Sequence, residues 1–546
     1  MADQSSVVLP KELRLAAPAT MPQSRSYMFK QQAALSGYGP KEVIQINLPR
    51  LQRSYLTKDS YLEFEVQFTH KTPASNFANA ALSLDTPGAL GLIDRIEVYD
   101  YLGSTQLEST AGFGQLVALL QDTCITQDEY STHWEATSGG QTTAIVADFE
   151  RNTQIAGDTA STNAEHKMYR MQQPALGEIL DLGIWKNDTS GVVAAASTTR
   201  IIRRRYHLPL FSFLGLLSPK YAPLHNGYTI MITLQSAENA LVNAGIKYAY
   251  NATSKKVDTA TLVQSTDVSY KIENARMCCQ ILELGPIAES MLLSTVGPNP
   301  MVVTTKAYRN YATSLPAQSS SFRLDLNINV ASLTNVLWMM RPSETIGAGQ
   351  FNTLSRRQRN YLESWNFQYG SSVLPQTQGI TAYKPNSLVA GHEDRGSECL
   401  IELLKARHMY NQPTHNHIFN RFNYPWDNTT DAYNMVKNKH QIDHLPTVYN
   451  AFYYVTPETF WETGKFACGL DLELVSGRTN EIICGMNTNG MNTSINATFN
   501  STAAAATVST GGTGTGVWVE KCQVDAWCEY DAFINISPGI ASTVSF

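Results

Sequence analysis

Two histidine pairs in this 546-residue chain have the spacing of metal ligands. His415 and His417 would share one face of a strand, and His440 and His444 would share one face of a helix. Asp443 adjoins the last histidine, but no carboxylate or cysteine completes either pair convincingly, so a structural or interface role is favoured. We expect no metal site.

The run His392–Glu398 gathers the acid, base and hydroxyl groups that hydrolysis would use. It stands directly before a helical pattern that begins at Cys399, and Asp394 or Ser397 as the N-cap explains it fully. Gly511–Gly516 has the glycine content of a phosphate loop but lacks the lysine that should follow it. No elbow motif with a serine, histidine and aspartate is present. We therefore expect no enzyme activity, no cofactor and no small-molecule substrate.

The dense basic run of the sequence is Arg203-Arg204-Arg205. Strand alternation sends Arg204 to one face and its two neighbours to the other. One hypothesis is a subunit contact, with salt bridges to an acidic loop of a neighbour; a solvated strand edge fits equally well, and capture of internal nucleic acid fits less well. Glu63 and Glu65 share a strand face and are interpreted as ordinary solvent-side residues.

Aromatic clusters such as Trp365–Tyr369 could form a platform for sugars, but packing in the core or at a subunit interface is favoured. The segment that contains Phe422, Tyr424 and Trp426 is the strongest candidate for a loop that anchors one subunit on the next.

The elements that would position these residues occur twice in the same order. Each half has an alternating strand, an aromatic hairpin, a short amphipathic helix and a closing pair of strands. The first half supplies Leu62–Phe68, Arg95–Ser104, Phe113–Gln121, Thr229–Leu234 and Val268–Leu284. The second half supplies Phe322–Val330, Trp365–Ser372, Cys399–Tyr410, Leu470–Val475 and Cys522–Ile536. The repetition predicts two similar β domains in tandem.

Composition shifts along the chain suggest the domain boundaries. Residues 1–41 lack strand alternation and carry five basic and two acidic residues, a net charge of +3. This arm is either a disordered tail or a peptide that docks on neighbouring subunits or faces an anionic interior, such as a lipid layer or genome. We place the first β domain at 42–285, a linker at 286–300 and the second β domain at 301–546. Residues 486–516 are expected to form an exposed low-complexity loop.

The overall composition excludes several classes of protein. Only 16% of residues are charged and the net charge is −6, unlike a typical nucleic-acid binder. The 26 Tyr and 19 Phe suggest extensive burial against sister subunits. The N-terminus lacks the apolar run of a signal peptide, and no apolar stretch is long enough to span a membrane. The eight cysteines are expected to be thiols in the core.

Two segments carry a family resemblance: Leu92–Val98, which leads into the helix at Phe113, and His207–Gly215, which leads to Tyr221–Leu224. Through them the chain resembles the double jelly-roll major capsid proteins of virophages and polinton-like viruses, a lineage shared with tectiviruses and adenoviruses. The resemblance covers nearly the whole length. It implies an all-β fold of two tandem eight-stranded jelly-roll sandwiches with short helices and long loop insertions.

The resemblance also implies a function and partners. A major capsid protein would form homotrimers, pseudo-hexagonal capsomers that tile an icosahedral shell, and would reside in the virion after assembly inside the host cell. Its partners would be neighbouring capsomers, penton proteins and minor capsid or cement proteins, with an internal membrane or genome considered for the N-terminal arm. The alternative is a carbohydrate-binding or carbohydrate-cleaving β-sandwich protein, which would need a secretory signal or a paired-carboxylate cleft.

Overall fold

The structure is a computed structural model that describes residues 23–71, 79–101, 103–124, 134–140, 178–181, 199–209, 221–251, 256–263, 268–296, 301–317, 319–343, 346, 353–360, 362–376, 379–382, 397–410, 465–474, 484–499, 521–536 and 542–545. Within them strands dominate, and the helices are short.

We call β1 to β15 and the helices among them the first lobe. Its strands are β1 (Arg25–Gln32), β2 (Gly37–Tyr38), β3 (Val43–Leu48), β4 (Ser54–Thr57), β5 (Tyr61–Lys71), β6 (Asn79–Leu84), β7 (Ile93–Asp100), β8 (Gln106–Ala111), β9 (Ile179–Asp181), β10 (Thr199–Pro209), β11 (Tyr221–Pro223), β12 (Tyr228–Leu234), β13 (Leu241–Asn251), β14 (Lys256–Val263) and β15 (Val268–Glu283). Its helices are α1 (Phe113–Cys124), α2 (Glu135–Ser138) and α3 (Ala237–Ala240), and α4 (Pro286–Val296) follows it.

We call β16 to β25 and the helix among them the second lobe. Its strands are β16 (Met301–Leu315), β17 (Ser321–Leu326), β18 (Leu333–Pro342), β19 (Leu362–Tyr369), β20 (Ser372–Leu374), β21 (Ile380–Thr381), β22 (Cys468–Asp471), β23 (Thr493–Phe499), β24 (Cys522–Ile536) and β25 (Thr543–Ser545). Its helix is α5 (Ser397–Ala406).

Eight main strands of each lobe pair in the same order. In the first lobe, sheet 1A runs β1-β15-β5-β10 and sheet 1B runs β3-β12-β7-β8. In the second lobe, sheet 2A runs β16-β24-β18-β22 and sheet 2B runs β17-β23-β19-β20. Numbered within each lobe, both A sheets have the order 1-8-3-6 and both B sheets the order 2-7-4-5. All of these strand pairs are antiparallel, and the predicted fold of two jelly rolls is confirmed.

The repeat is therefore real, but two of its predicted correspondences are wrong. The strand in the second lobe equivalent to β5 is β18, not the segment Phe322–Val330, and the equivalent of β12 is β23, not Leu470–Val475. All ten residues of β18 are buried, because one face packs in the second sandwich and the other is covered from outside. A strand buried on both faces loses the polar alternation by which β5 was recognised.

Three further expectations about strands and helices are corrected by the structure. Residues 25–32 of the predicted N-terminal arm form β1, which pairs with β15 over eight residues and packs Tyr27 and Phe29 against the core. Thr493–Phe499, inside the predicted exposed loop 486–516, forms the central strand β23. The second helix ends at Ala406 rather than Tyr410, and His408 adopts a φ of 57° just beyond it. The boundaries 42–285, 286–300 and 301–546 stay a prediction, although α4 occupies most of the predicted linker.

The cores contain large aromatic side chains and most of the cysteines. Trp338 of sheet 2A stacks edge-on against Trp365 of sheet 2B at a centroid distance of 5.5 Å, and both are almost fully buried. All eight cysteines are free thiols, and six of them are buried, as their expected core role predicts. The core of each lobe continues into the other across the junction described below.

Candidate functional site

The junction between the lobes contains a strap, residues 353–360, that leads from β18 towards β19 and inserts into the first lobe. The carboxylate of Asp85 accepts hydrogen bonds from the backbone N–H groups of Leu354 and Ser355 at 2.8 and 3.3 Å, and from the Ser355 hydroxyl at 2.5 Å. A Cβ on Gly91 would lie 2.9 Å from Leu354 Cδ1, so the strap packs closely against the backbone of the first lobe there. The strap is thus held by polar and apolar contacts together.

A buried ion cluster joins helix α1 to the second lobe. Asp122 near the end of α1 lies 2.7 Å from Lys465 Nζ and is paired also with the Arg357 guanidinium. The three side chains are 0–2% exposed. Burial lowers the pKa of Lys465, and the Asp122 carboxylate opposes that shift. Because buried charges are tolerated only when paired, this cluster ties the two lobes to one relative position.

A second ion cluster surrounds Glu529 on sheet 2A. Arg407 Nη1 lies 2.6 Å and Lys306 Nζ 3.6 Å from its carboxylate. Hydrogen bonds of 2.9 Å come from Tyr308 and Asn335. Burial alone would raise the pKa of Glu529, but these cations and hydrogen bonds outweigh burial and lower the pKa to about 2. The same arginine reaches Cys124 Sγ at the end of α1 at 3.6 Å, so this cluster also touches the first lobe.

Neutral contacts complete the junction. Trp527 Nε1 on β24 donates to the carbonyl oxygen of Ala111 at 3.2 Å, at the end of β8. Gly112 follows with a φ of 61°, and a Cβ added to it would lie 3.4 Å from Cζ2 of the Trp527 ring. Asn226 Nδ2 lies 3.4 Å from Ser542 Oγ. The first lobe therefore covers the outer face of sheet 2A with β8 and α1.

The three predicted arginines lie on β10, at the edge of sheet 1A. As alternation predicts, Arg203 and Arg205 point to one face and Arg204 to the other. Within the described chain, the side chain of Arg203 binds Gln67, that of Arg204 binds Glu178, and that of Arg205 binds Glu65. The arginines thus bind residues of their own lobe, and their role in a subunit contact stays a prediction.

The interpretation of Glu63 as an ordinary solvent-side residue is wrong. Its side chain is only 4% exposed, and it is paired with Arg276 at 2.5 Å and with Lys30 at 2.9 Å. The hydrogen bond from Arg276 is the main reason why the pKa of Glu63 lies well below its usual range. Glu65 is more exposed, and its pKa is also lowered, chiefly by the hydrogen bond from Arg205.

Other predicted site residues lie outside the described residues: Phe422, Tyr424, Trp426, the two histidine pairs with Asp443, residues 392–396 and Gly511–Gly516. Among the described residues, no group of three or more histidine, cysteine or acidic side chains is placed to hold a metal ion. No helix in the described ranges is long and apolar enough to cross a membrane.

A shallow groove of about 280 Å³ lies on the outer face of sheet 2B. It is lined by Ser321, Phe322, Arg323, Ser364, Asn366, Asn496, Ala497 and Thr498. Several of these polar groups already bond one another, such as Asn496 with Asn366 at 3.2 Å and Ser364 with Thr498 at 2.8 Å. These paired groups are therefore already engaged with each other, which leaves them poorly suited to orient a ligand in the groove.

Sequence reasoning missed the junction residues. A signal was present in Arg356-Arg357-Gln358-Arg359, a second basic run, which is buried rather than exposed. Asp122 was the other signal, an acid inside the apolar helix α1, where a buried charge calls for a partner.

Comparison with known structures finds solved proteins that share this architecture. The mavirus major capsid protein matches 100% of this chain and 95% of its own length, with a TM-score of 0.50 and 11% sequence identity. A chain from the electron cryo-microscopy structure of the Sputnik virophage matches 99% of this chain and 92% of its own length, with a TM-score of 0.50 and 12% identity. No protein-family model and no curated protein matches the sequence. In strand order and over nearly its full length, the chain has the double jelly-roll fold found in these virophage structures.

Proposed function

We propose that this chain is a viral major capsid protein, a non-catalytic building block that forms homotrimers and tiles an icosahedral shell. The observation that carries the proposal is the pair of lobes with identical strand order, joined through buried charges. Three such chains would supply six similar lobes, which is what a pseudo-hexagonal tile requires. The fold shared with the mavirus major capsid protein supports the same role.

The buried junction matters for this function because a shell needs tiles of constant shape. If the lobes could swing freely, each tile would present a variable edge to its neighbours. The strap on Asp85 and the cluster around Asp122 set one arrangement of the two lobes. Long loops can vary at the ends of such sandwiches while the β scaffold stays constant.

Size-exclusion chromatography with light scattering of the full chain tests the trimer. We expect a mass of three chains, and an obligate interface that persists on dilution. A monomer that binds an oligosaccharide would overturn the proposal and favour the alternative of a carbohydrate-binding or carbohydrate-cleaving sandwich.

The remaining parts of the function are proposals of the same kind. The virion would be the site of the protein, and penton and minor capsid or cement proteins would be its partners beside neighbouring capsomers. An internal membrane or genome as a partner of the N-terminal arm is tested by co-purification of lipid or nucleic acid with particles.

A further inference from the structure

The two A sheets have the same topology but differ in how their outer faces are covered. On sheet 2A the outer face is buried: Asn335, Trp527 and Glu529 are each under 5% exposed, beneath α5 and the first lobe. On sheet 1A the equivalent face is open. Ile201 on β10 is 60% exposed and Met28 on β1 is 51% exposed.

The two faces also carry similar ion clusters, in which the lysines stand on corresponding strands and the carboxylates on different ones, β5 and β24. Glu63 on sheet 1A is paired with Lys30 from β1, the first main strand of its lobe, and Glu529 on sheet 2A is paired with Lys306 from β16, the first main strand of the other lobe. In the second lobe, the cluster is sealed because Arg407 also contacts the first lobe. In the first lobe, nothing in the described chain seals the cluster in that way.

The charge of the open face favours a second copy of the chain as the partner. Among its described side chains, five cations exceed three carboxylates, a net charge of +2. The set is Lys30, Arg203, Arg205, Lys271 and Arg276 against Glu63, Glu65 and Glu273. Residues 301–546, which contain the second lobe, carry 17 basic and 19 acidic residues, a net charge of −2, so the charge of the second lobe is opposite in sign to that of the face. The exposed Ile201 and Met28 add apolar contact area at two places on the face.

From these observations we infer that the open face of sheet 1A is a docking surface for the second lobe of another copy of this chain. In this contact the second lobe of one chain would cover sheet 1A of another, just as the first lobe covers the outer face of sheet 2A within one chain. This inference rests on the proposed trimer and names the surface through which it forms. It also gives Arg203 and Arg205 a role, because their ion pairs would be buried there.

The test introduces charge at the two exposed apolar positions. The double variant Met28→Arg/Ile201→Arg adds positive charge to an already positive face, and both side chains are too exposed to be needed for folding. The matched control is Val43→Arg, an equally simple change at a 45% exposed position on β3 of sheet 1B. Mass is measured by light scattering over the same dilution series for each protein, and folding by near-ultraviolet circular dichroism.

We expect three chains for the unmodified protein and for Val43→Arg, and a shift to single folded chains for the double variant. A trimeric double variant with unchanged dilution behaviour would overturn the inference and leave the proposed function intact. A monomeric unmodified protein would instead overturn the proposed function.

A second readout uses the unmodified protein and does not depend on the variants. Lys271, whose side chain is 54% exposed in the single chain, should acylate several-fold more slowly in the trimer than exposed Lys41, which lies before β3. Equal reaction of the two lysines in a trimer would show that this face stays open, and would overturn the inference.

Discussion

Replacing Asp122 by alanine should weaken the junction between the lobes more than any change at an exposed ion pair. The substitution removes the carboxylate that contacts both Arg357 and Lys465, and both cations are at most 2% exposed. The variant therefore retains two buried positive charges next to each other.

The expected cost follows from the burial of this cluster. Removing one member of a buried ion pair typically costs about 3–5 kcal/mol. The protein can limit the cost by releasing the proton of Lys465, whose pKa burial already lowers. Releasing it at pH 7 from an ordinary pKa of about 10.4 costs about 4.6 kcal/mol, which agrees with that range. Over 546 residues that unfold together, the loss corresponds to a fall in Tm of about 3–4 °C.

Differential scanning calorimetry at fixed protein concentration measures this effect. The matched control is Asp325→Ala, which removes the carboxylate of an ion pair with the same 2.7 Å separation, Arg323 with Asp325. That pair is 55% and 63% exposed, so its loss should change stability by less than about 1 kcal/mol. We also expect the transition of Asp122→Ala to broaden or split, because the two lobes lose a shared contact.

The pH dependence distinguishes a buried-charge effect from simple loss of packing. In Asp122→Ala the folded pKa of Lys465 lies below its unfolded value, so the unfolded chain binds more protons and stability rises with pH. The deficit should therefore shrink between pH 7 and pH 10. Replacing the three residues together, with Asp122→Leu, Arg357→Met and Lys465→Met, should recover most of the loss. A fall in Tm no larger than that of Asp325→Ala, or a deficit independent of pH, would refute the reasoning.

Three further predictions concern single residues. Glu529, with its pKa lowered to about 2, contributes stability on the order of 3 kcal/mol. This stability is present above the unfolded pKa and is lost as pH falls from about 4.5 towards 2. In urea unfolding, Glu529→Gln should therefore lose less stability on acidification than the unmodified protein. Trp338→Ala should cost about 3–5 kcal/mol by urea unfolding, whereas Leu474→Ala at an 86% exposed position should change stability by less than about 0.5 kcal/mol. Gly88→Ala should lower Tm clearly more than Gly103→Ala, because both have φ near 65° but a Cβ at Gly88 would clash with the backbone of Gly139 and one at Gly103 meets nothing within 4 Å.

Elements with a strong local pattern could be predicted from the sequence. The two hairpins and the helices α1 and α5 were found because their alternation or helical stripe is contained in a dozen residues. Strand β18 was missed because burial of both faces removes alternation, and β23 because its Thr- and Asn-containing sequence resembles the loop around it. The equivalence of β18 to β5 and of β23 to β12 becomes visible only in the order of the strands within the sheets.

The junction could not be predicted because its partners are far apart in the chain. Arg357 lies 235 residues from Asp122, and Lys465 lies 343 residues from it. A single sequence shows that an acid interrupts an apolar helix, but it does not show which cation faces it. Glu63 was misread for the same reason, since its partner Arg276 is 213 residues away.

The most direct test of the central claim is electron microscopy of the purified full-length protein. Two locked jelly-roll lobes per chain that associate into trimers should give particles with a six-lobed, pseudo-hexagonal outline and a mass of three chains. Particles with two lobes and the mass of one chain, at concentrations where capsid proteins assemble, would contradict the account.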